Sequence, residues 1–160
     1  MPFEIERKFL VIQDRWRRPD GGVRYRQGYL TTDPGRSVRI RSAAGKGVIT
    51  IKGMTANRRR PEYEYTIPLA DAEELLDTLC LRPLIEKSRY IVEHAGLRWE
   101  IDEFEGVNAG LVIAEVELAD ADQCIHLPEW VGEEVTDDPR YYNASLIEHP
   151  YSTWGGRPAH

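Results

Sequence analysis

Cysteine is scarce in this sequence. Its 160 residues hold two, Cys80 and Cys124. They are too few and too isolated for a disulfide framework or a zinc site, and each reads as a small buried hydrophobe. Long apolar runs are missing too. No stretch approaches the ~20 residues that a membrane-spanning helix needs, so no membrane partner is expected. Met1-Pro2-Phe3-Glu4 has no basic region leading into an apolar stretch. No signal peptide is read, and the expected location is cytoplasmic. There is no basic excess: the formal net charge of −6 argues against a broad nucleic-acid surface. It does not exclude a local cationic cluster that grips a small polyanion. The phosphate loop G-x-x-x-x-G-K-S/T, the zinc motif H-E-x-x-H and the nucleophile elbow G-x-S-x-G are all absent. His94, His126, His149 and His160 show no metal-ligand spacing and read as surface or capping residues.

What the sequence has is alternation. Hydrophobic residues at 41% and charged residues at 30% fit an ordinary soluble globular chain, so the pattern matters more than the totals. The length favours one domain, read over residues 1–150, with a loose tail over 151–160 that carries two glycines and a proline. Period-two patterning predicts strands over residues 3–11, 23–32, 37–42, 48–52, 62–67, 84–93, 97–102 and 112–118. Turns are marked by Asp20-Gly21-Gly22, Asp33-Pro34-Gly35, Gly45-Lys46-Gly47 and His94-Ala95-Gly96. Asp71 with Glu74 predicts a capped helix to about Leu81, Asp120 with Gln123 a shorter one, and Asp138-Pro139 a last helix through Leu146. The fold class is therefore α+β, mainly antiparallel β, with a few covering helices.

The polar faces of these strands are unusual. A solvated face is the bland reading of any single strand. Here, however, nearly every strand carries a charged pair two residues apart, and the pairs are often of one sign. Glu62 and Glu64, and Glu115 and Glu117, are acidic; Arg39 and Arg41, and Lys87 and Arg89, are basic. Neighbours at that spacing lie about 7 Å apart on one face. Their repulsion gains nothing in water, but it becomes useful where carboxylates chelate cations and basic pairs clamp an anion. The inference is an inside-out barrel. Its apolar phase, with Trp99, Tyr63 and Tyr65, lies outward under the helices, and its charged phase lines a wet lumen. A helix-backed half-barrel gives the same alternation. Hard cations such as Mg2+ or Mn2+ suit such carboxylates, while arginines suit phosphate oxygens. One cation takes only one or two protein carboxylates, so two metal sites are compatible with the number available. Arg58-Arg59-Arg60 reads as a solvated turn with Arg60 near the rim.

Glu4-Ile5-Glu6-Arg7-Lys8 resembles the Glu-x-Glu-x-Lys signature of the CYTH superfamily, the triphosphate tunnel metalloenzymes. Val38-Arg39-Ile40-Arg41, Thr50-Ile51-Lys52-Gly53, Glu62-Tyr63-Glu64, Glu86-Lys87-Ser88-Arg89, Glu100-Ile101-Asp102 and Ala114-Glu115-Val116-Glu117 follow in the family's order. The resemblance covers residues 3 to 148. It implies an eight-stranded closed β-barrel and divalent-metal-dependent action, with Mg2+ or Mn2+, on a small-molecule triphosphate. By position it assigns Glu4, Glu6, Glu62, Glu64, Asp102, Glu115 and Glu117 to metal. Lys8, Arg39, Arg41, Lys52, Lys87 and Arg89 are assigned to substrate, and Glu4, Glu6, Lys8, Lys52, Glu115 and Glu117 to catalysis. Gln27 and Tyr29 resemble a second-strand pair near the tunnel. Tyr141-Tyr142-Asn143 resembles a C-terminal helix that closes one mouth. Family members act on inorganic triphosphate or thiamine triphosphate, or cyclise ATP to cyclic AMP. The short chain resembles the small bacterial inorganic triphosphatases, so hydrolysis of inorganic triphosphate is expected first. Hydrolysis of nucleoside or thiamine triphosphate, class IV-type adenylate cyclisation and non-catalytic polyphosphate binding stand as alternatives. A closed barrel leaves no free edge, so a homodimer would form through another surface.

Overall fold

The structure, a computed structural model, describes residues 2–19 and 21–155. It contains ten strands: β1 (Phe3–Glu4), β2 (Glu6–Val11), β3 (Val23–Thr31), β4 (Arg36–Ala43), β5 (Lys46–Gly53), β6 (Arg60–Ile67), β7 (Ile85–His94), β8 (Leu97–Phe104), β9 (Val112–Glu117) and β10 (Val131–Glu134). Two α-helices accompany them, α1 (Leu69–Thr78) and α2 (Ser145–Glu148), with short 3-10 turns at Gly106–Asn108, Pro139–Tyr141 and Tyr151–Thr153. The strands form one antiparallel sheet in the order β1-β6-β5-β4-β3-β7-β8-β9-β2-β10.

This order corrects the expected eight-stranded closed barrel. The first strand divides at Ile5. Phe3 and Glu4 pair with β6, whereas Glu6 to Leu10 pair with β9. The other edge of β2 is taken by β10, so β2 has no edge left for β6. The hydrogen-bonded ladder is therefore a row of ten strands. Residues 131–134 were not read as a strand because Val131-Gly132-Glu133-Glu134 has a single apolar side chain and no alternation.

Hairpin chemistry follows the local sequence. Ala44-Gly45 and Ala95-Gly96 both have two successive residues at positive φ, the type I′ geometry that matches strand twist. The tip is thus Ala44-Gly45, and Lys46 and Gly47 already belong to β5. The turn that includes Asp20 lies partly outside the described residues.

The helices differ from expectation in their ends. Helix α1 starts after Pro68 with no side-chain cap, and Asp71 sits in its first turn, where negative charge suits the helix dipole. Asp120 starts no helix: its carboxylate accepts from the Asp122 backbone N–H at 2.8 Å, a local turn. Asp138 does cap a helical turn, accepting from Arg140 N–H, but the chain then breaks before α2. Of the expected loose tail, Tyr151 to Thr153 form a 3-10 turn and Trp154 stacks on Tyr141 and Tyr151. Residues 156–160 lie outside the described residues.

Three apolar clusters position the sheet. On the outer face, Phe9, Trp99, Ile101 and Val116 pack with Trp16 and Trp130. That cover comes from loops, not from helices as expected. Helix α1, through Ala72 and Leu76, with Cys80 just after its end, covers Ile40 and neighbouring β4 and β5 residues. Beyond α1 the outer face is open: Tyr65 is 57% exposed, and Ile51 is exposed as well. Cys80 is buried as read, but Cys124 is exposed. The third cluster lies on the charged phase itself. Leu10, Tyr29, Ile85, Phe104 and Ile113 share alternation phases with Lys8, Gln27, Lys87, Asp102 and Glu115, and they pack against Tyr141, Leu146 and Ile147. The charged face is thus apolar at one end, where the C-terminal segment seals it.

Candidate active site

The sheet order arranges charge by wall. Strands β4, β3 and β7 lie side by side and bring Arg39, Arg41, Lys87 and Arg89. Carboxylates come from the two flanks: Glu4, Glu62 and Glu64 from β1 and β6, and Glu6, Glu115 and Glu117 from β2 and β9. All of these, with Lys8, Lys52 and Glu100, line one cavity of about 1490 Å³. Of the sequence-read site residues, Asp102 alone is not on its lining. It is 1% exposed and sits beneath the cationic wall.

Ion pairs organise the cavity. Lys52 Nζ is 2.7 Å from Glu4 Oε1 and 3.6 Å from Glu62 Oε2. Lys8 Nζ is 3.3 Å from Glu115 Oε2 and lies over the Tyr142 ring. Asp102 receives Lys87 Nζ at 2.7 Å and both forks of Arg89, at 2.7 and 2.9 Å. Arg89 also reaches Glu100 at 3.2 Å. Arg39 and Arg41 are less committed, at 3.8 and 3.7 Å from Glu64 Oε2. Thr50, absent from the sequence-read set, bridges Arg39 and Glu64 at 3.2 and 3.1 Å. Its signal was present, since it shares the phase of Lys52.

The protonation equilibria follow from this crowding. Burial pushes the Glu6 carboxyl up to about 8, and Glu115 and Glu4 beside it add to the shift. In the β2–β9 register Glu6 stands opposite Glu117, a like-charge pair that calls for a cation. Burial and Glu4 also raise Glu62 and Glu117. Burial opposes ionisation of Glu115, but Lys8, Arg89 and Lys87 together outweigh it and hold the carboxyl low. Asp102 behaves likewise: two cations overcome its burial and hold it far below the usual range. Those cations share one carboxylate. The more easily deprotonated of them, Lys87, is lowered by burial to about 8.

The donor set fits a hard divalent ion, because the cavity offers carboxylate oxygens and no thiol or imidazole. Among the described residues no three His, Cys, Asp or Glu side chains converge closely enough to hold a metal by themselves. A magnesium-like ion takes one or two protein carboxylates and completes its shell with phosphate and water oxygens. The raised Glu6 is the clearest sign of carboxylates short of positive charge.

Sequence reasoning gave no role to β10, which adds Glu133 and Glu134 to the cavity rim. Arg7, on the outer phase of β2, reaches the rim and pairs there with Glu134 at 2.6 Å. Arg60 sits at the rim, donating to Gly53 O at 2.7 Å. Among the described residues no helix is long and apolar enough to cross a membrane.

Comparison with known proteins agrees with this arrangement. The CYTH domain family matches residues 2–151. An inorganic triphosphatase of Acetivibrio thermocellus is 48% identical over 151 residues, 94% of this chain and 97% of that protein. An inorganic triphosphatase of Nitrosomonas europaea is 40% identical, covering 89% of this chain and 95% of its own length. A crystal structure of an inorganic triphosphatase superposes with a TM-score of 0.62 at 37% identity, covering 90% of this chain and 97% of that one. By its match over nearly all of its length, this chain belongs to the CYTH domain family.

Proposed function

We propose that the protein hydrolyses inorganic triphosphate to diphosphate and phosphate, with Mg2+ or Mn2+ as its cofactor. The observation that carries this reading is the wall-by-wall separation of charge in one cavity: loosely paired arginines on β4 face carboxylates from β1, β2, β6 and β9, among which the Glu6 carboxyl is strongly raised. The full-length likeness to two inorganic triphosphatases supports the choice of substrate.

In this reading Arg39, Arg41, Lys87 and Arg89 hold the phosphate chain, with Lys8 and Lys52 as point charges at its carboxylate side. Glu4, Glu6 and Glu117 are the principal metal-holding groups, with Glu62, Glu64 and Glu115 near them. A bound divalent cation neutralises phosphate charge and acidifies an attacking water. The water oxygen bonds to the terminal phosphorus as its bond to the bridging oxygen breaks. Diphosphate leaves with that electron pair, and a cavity carboxylate takes the water proton. Asp102 orients Lys87 and Arg89 and is not itself a metal ligand here. Although the ladder is open, β1 and β2 are consecutive and pair with its two flanks. Chain continuity through Ile5 therefore completes the wall around the lumen.

The test is incubation with inorganic triphosphate, ATP and thiamine triphosphate, each with Mg2+ or Mn2+. Orthophosphate and diphosphate from inorganic triphosphate, in preference to the other two, support the assignment. Cyclic AMP as the main product from ATP, or tight triphosphate binding without turnover under either metal, overturns it.

A further inference from the structure

The C-terminal segment meets the cationic wall through one neutral side chain. Asn143 Oδ1 accepts from Lys87 Nζ at 2.9 Å and from Gln27 Nε2 at 2.8 Å. A lysine ammonium only donates, so the atom facing it is the amide oxygen, and both lone pairs of that oxygen are used. Gln27 is fully buried, and its own Oε1 has no hydrogen-bond partner. An oxygen left without a donor is a poor arrangement for mere filling. The β3–β7 register places Gln27 opposite Ile85, two residues from Lys87 on the same phase. The amide of Gln27 therefore reaches Asn143 from the neighbouring strand.

Lys87 needs such a restraint. Its flexible four-carbon stem carries a point charge with three rotatable donors. Asp102, itself off the cavity lining, draws the ammonium toward the cavity floor. Asn143, which does line the cavity, holds it from the other side. With two donors fixed, one remains.

We propose that Asn143, itself held by Gln27, is a positioning residue that fixes the Lys87 ammonium with its third donor toward the phosphate chain. This rests on the reading of the cavity as a triphosphate site. The competing role is structural: Asn143 merely tethers the C-terminal segment to the sheet.

The test is a double-mutant cycle, Asn143→Ala, Lys87→Ala and both, assayed with inorganic triphosphate and Mg2+ and accompanied by melting curves. Asn143→Ala is expected to lower kcat roughly tenfold, the scale of one charge-assisted hydrogen bond. It is expected to have no further effect in the Lys87→Ala background. Asn143→Asp, which keeps the accepting oxygen, is expected to recover most of the lost kcat. Losses that multiply in the double variant, or wild-type kcat in Asn143→Ala, overturn the positioning role. If Lys87→Ala itself turns over normally, the assignment of Lys87 to the substrate fails, and this inference with it. Should Asn143→Ala not fold, Gln27→Leu, which removes only the restraint on Asn143, completes the same cycle.

Discussion

Lys87 Nζ stands 2.7 Å from Asp102 Oδ2, and Arg89 grips the same carboxylate through both of its nearer nitrogens. One buried anion thus serves two buried cations. Removing it by Asp102→Ala leaves Lys87 without its carboxylate partner and Arg89 with Glu100 alone, in a low-dielectric site. Breaking a buried pair in this way costs about 3–5 kcal/mol. Urea unfolding of Asp102→Ala should show a loss of that size. Asp102→Asn keeps hydrogen-bonding oxygen but loses the charge, and it should fall between the two. Wild-type stability in both variants would remove Asp102 as the organiser of the wall.

Glu6 gives a pH prediction of definite sign. Its folded pKa, about 8, lies above the ordinary 4.5. Between those values the folded state holds a proton that the unfolded chain has released. Stability therefore falls as pH rises through this window, by at most about 1.4 kcal/mol per pH unit for one proton. Glu62 and Glu117, also raised, act in the same direction. Unfolding curves in chelator at pH 5, 6.5 and 8 should decline, and the decline should shrink in Glu6→Gln. Saturating Mg2+ or Mn2+ should flatten it in the wild type, because the ionised carboxylates then have a partner.

The carboxylates should separate chemistry from folding. Glu4→Gln, Glu6→Gln and Glu117→Gln each remove a carboxyl group from the acidic flanks of the cavity. Each should cut kcat by roughly a hundredfold, the scale of one removed electrostatic contact in a water-poor site. Melting temperatures should hold or rise, since like charges are thinned. Wild-type turnover in all three would mean that the metal-holding role belongs elsewhere.

Arg39 and Arg41 should act mainly on binding. Their partner Glu64 is distant, at 3.8 and 3.7 Å, so they are the cations most available to an incoming anion. Arg39→Ala removes a charge-assisted contact worth about 1.5–3 kcal/mol, or roughly ten- to a hundredfold in affinity. Calorimetric titration of inorganic triphosphate reads this directly. The effect should exceed that of Arg24→Ala, whose partners Glu86 and Glu105 lie on the exterior.

Much of this was legible in the sequence, for a physical reason. Charge at every second position on successive strands can be read without knowing how the strands pair, so the shared charged face of Glu4, Lys8, Arg39, Lys52 and Glu115, which line one cavity, was legible. Pairing itself was not legible. Whether β2 offers its free edge to β6 or to β10 depends on residues 131–134, whose composition carries no strand pattern. Asp102 shares its phase with Glu100, yet one lines the cavity and the other lies beneath it; depth along a lumen is invisible to a period of two. Leu10 and Ile113 share the charged phase of their strands by alternation, but their role in sealing its end emerges only with Leu146 and Ile147 packed against them. Asn143 was marked only by the resemblance of Tyr141-Tyr142-Asn143 to a mouth-closing segment; its contacts with Lys87 and Gln27 were not legible, since those partners lie more than fifty residues away.

A last prediction separates the scaffold from the site. Gly47 lies on the outer phase of β5, under α1. A Cβ there would stand 2.7 Å from Ala72 Cβ, 3.1 Å from Ile67 O and 3.2 Å from Pro68 O. Gly47→Ala must therefore lift the start of α1 away from Ile40 and its neighbours on β4 and β5, at a cost of about 1–3 kcal/mol for overpacking. Ala72→Gly in the same chain removes the worst clash but not the two carbonyl contacts, so the double variant should regain only part of the loss. The cavity lies on the opposite face of β5, marked by Thr50 and Lys52. The kcat and KM of folded Gly47→Ala should therefore match the wild type while its melting temperature falls. An unchanged melting temperature would show that α1 is not seated on Gly47. A changed kcat would show that the outer cover and the charged face are coupled through the strand.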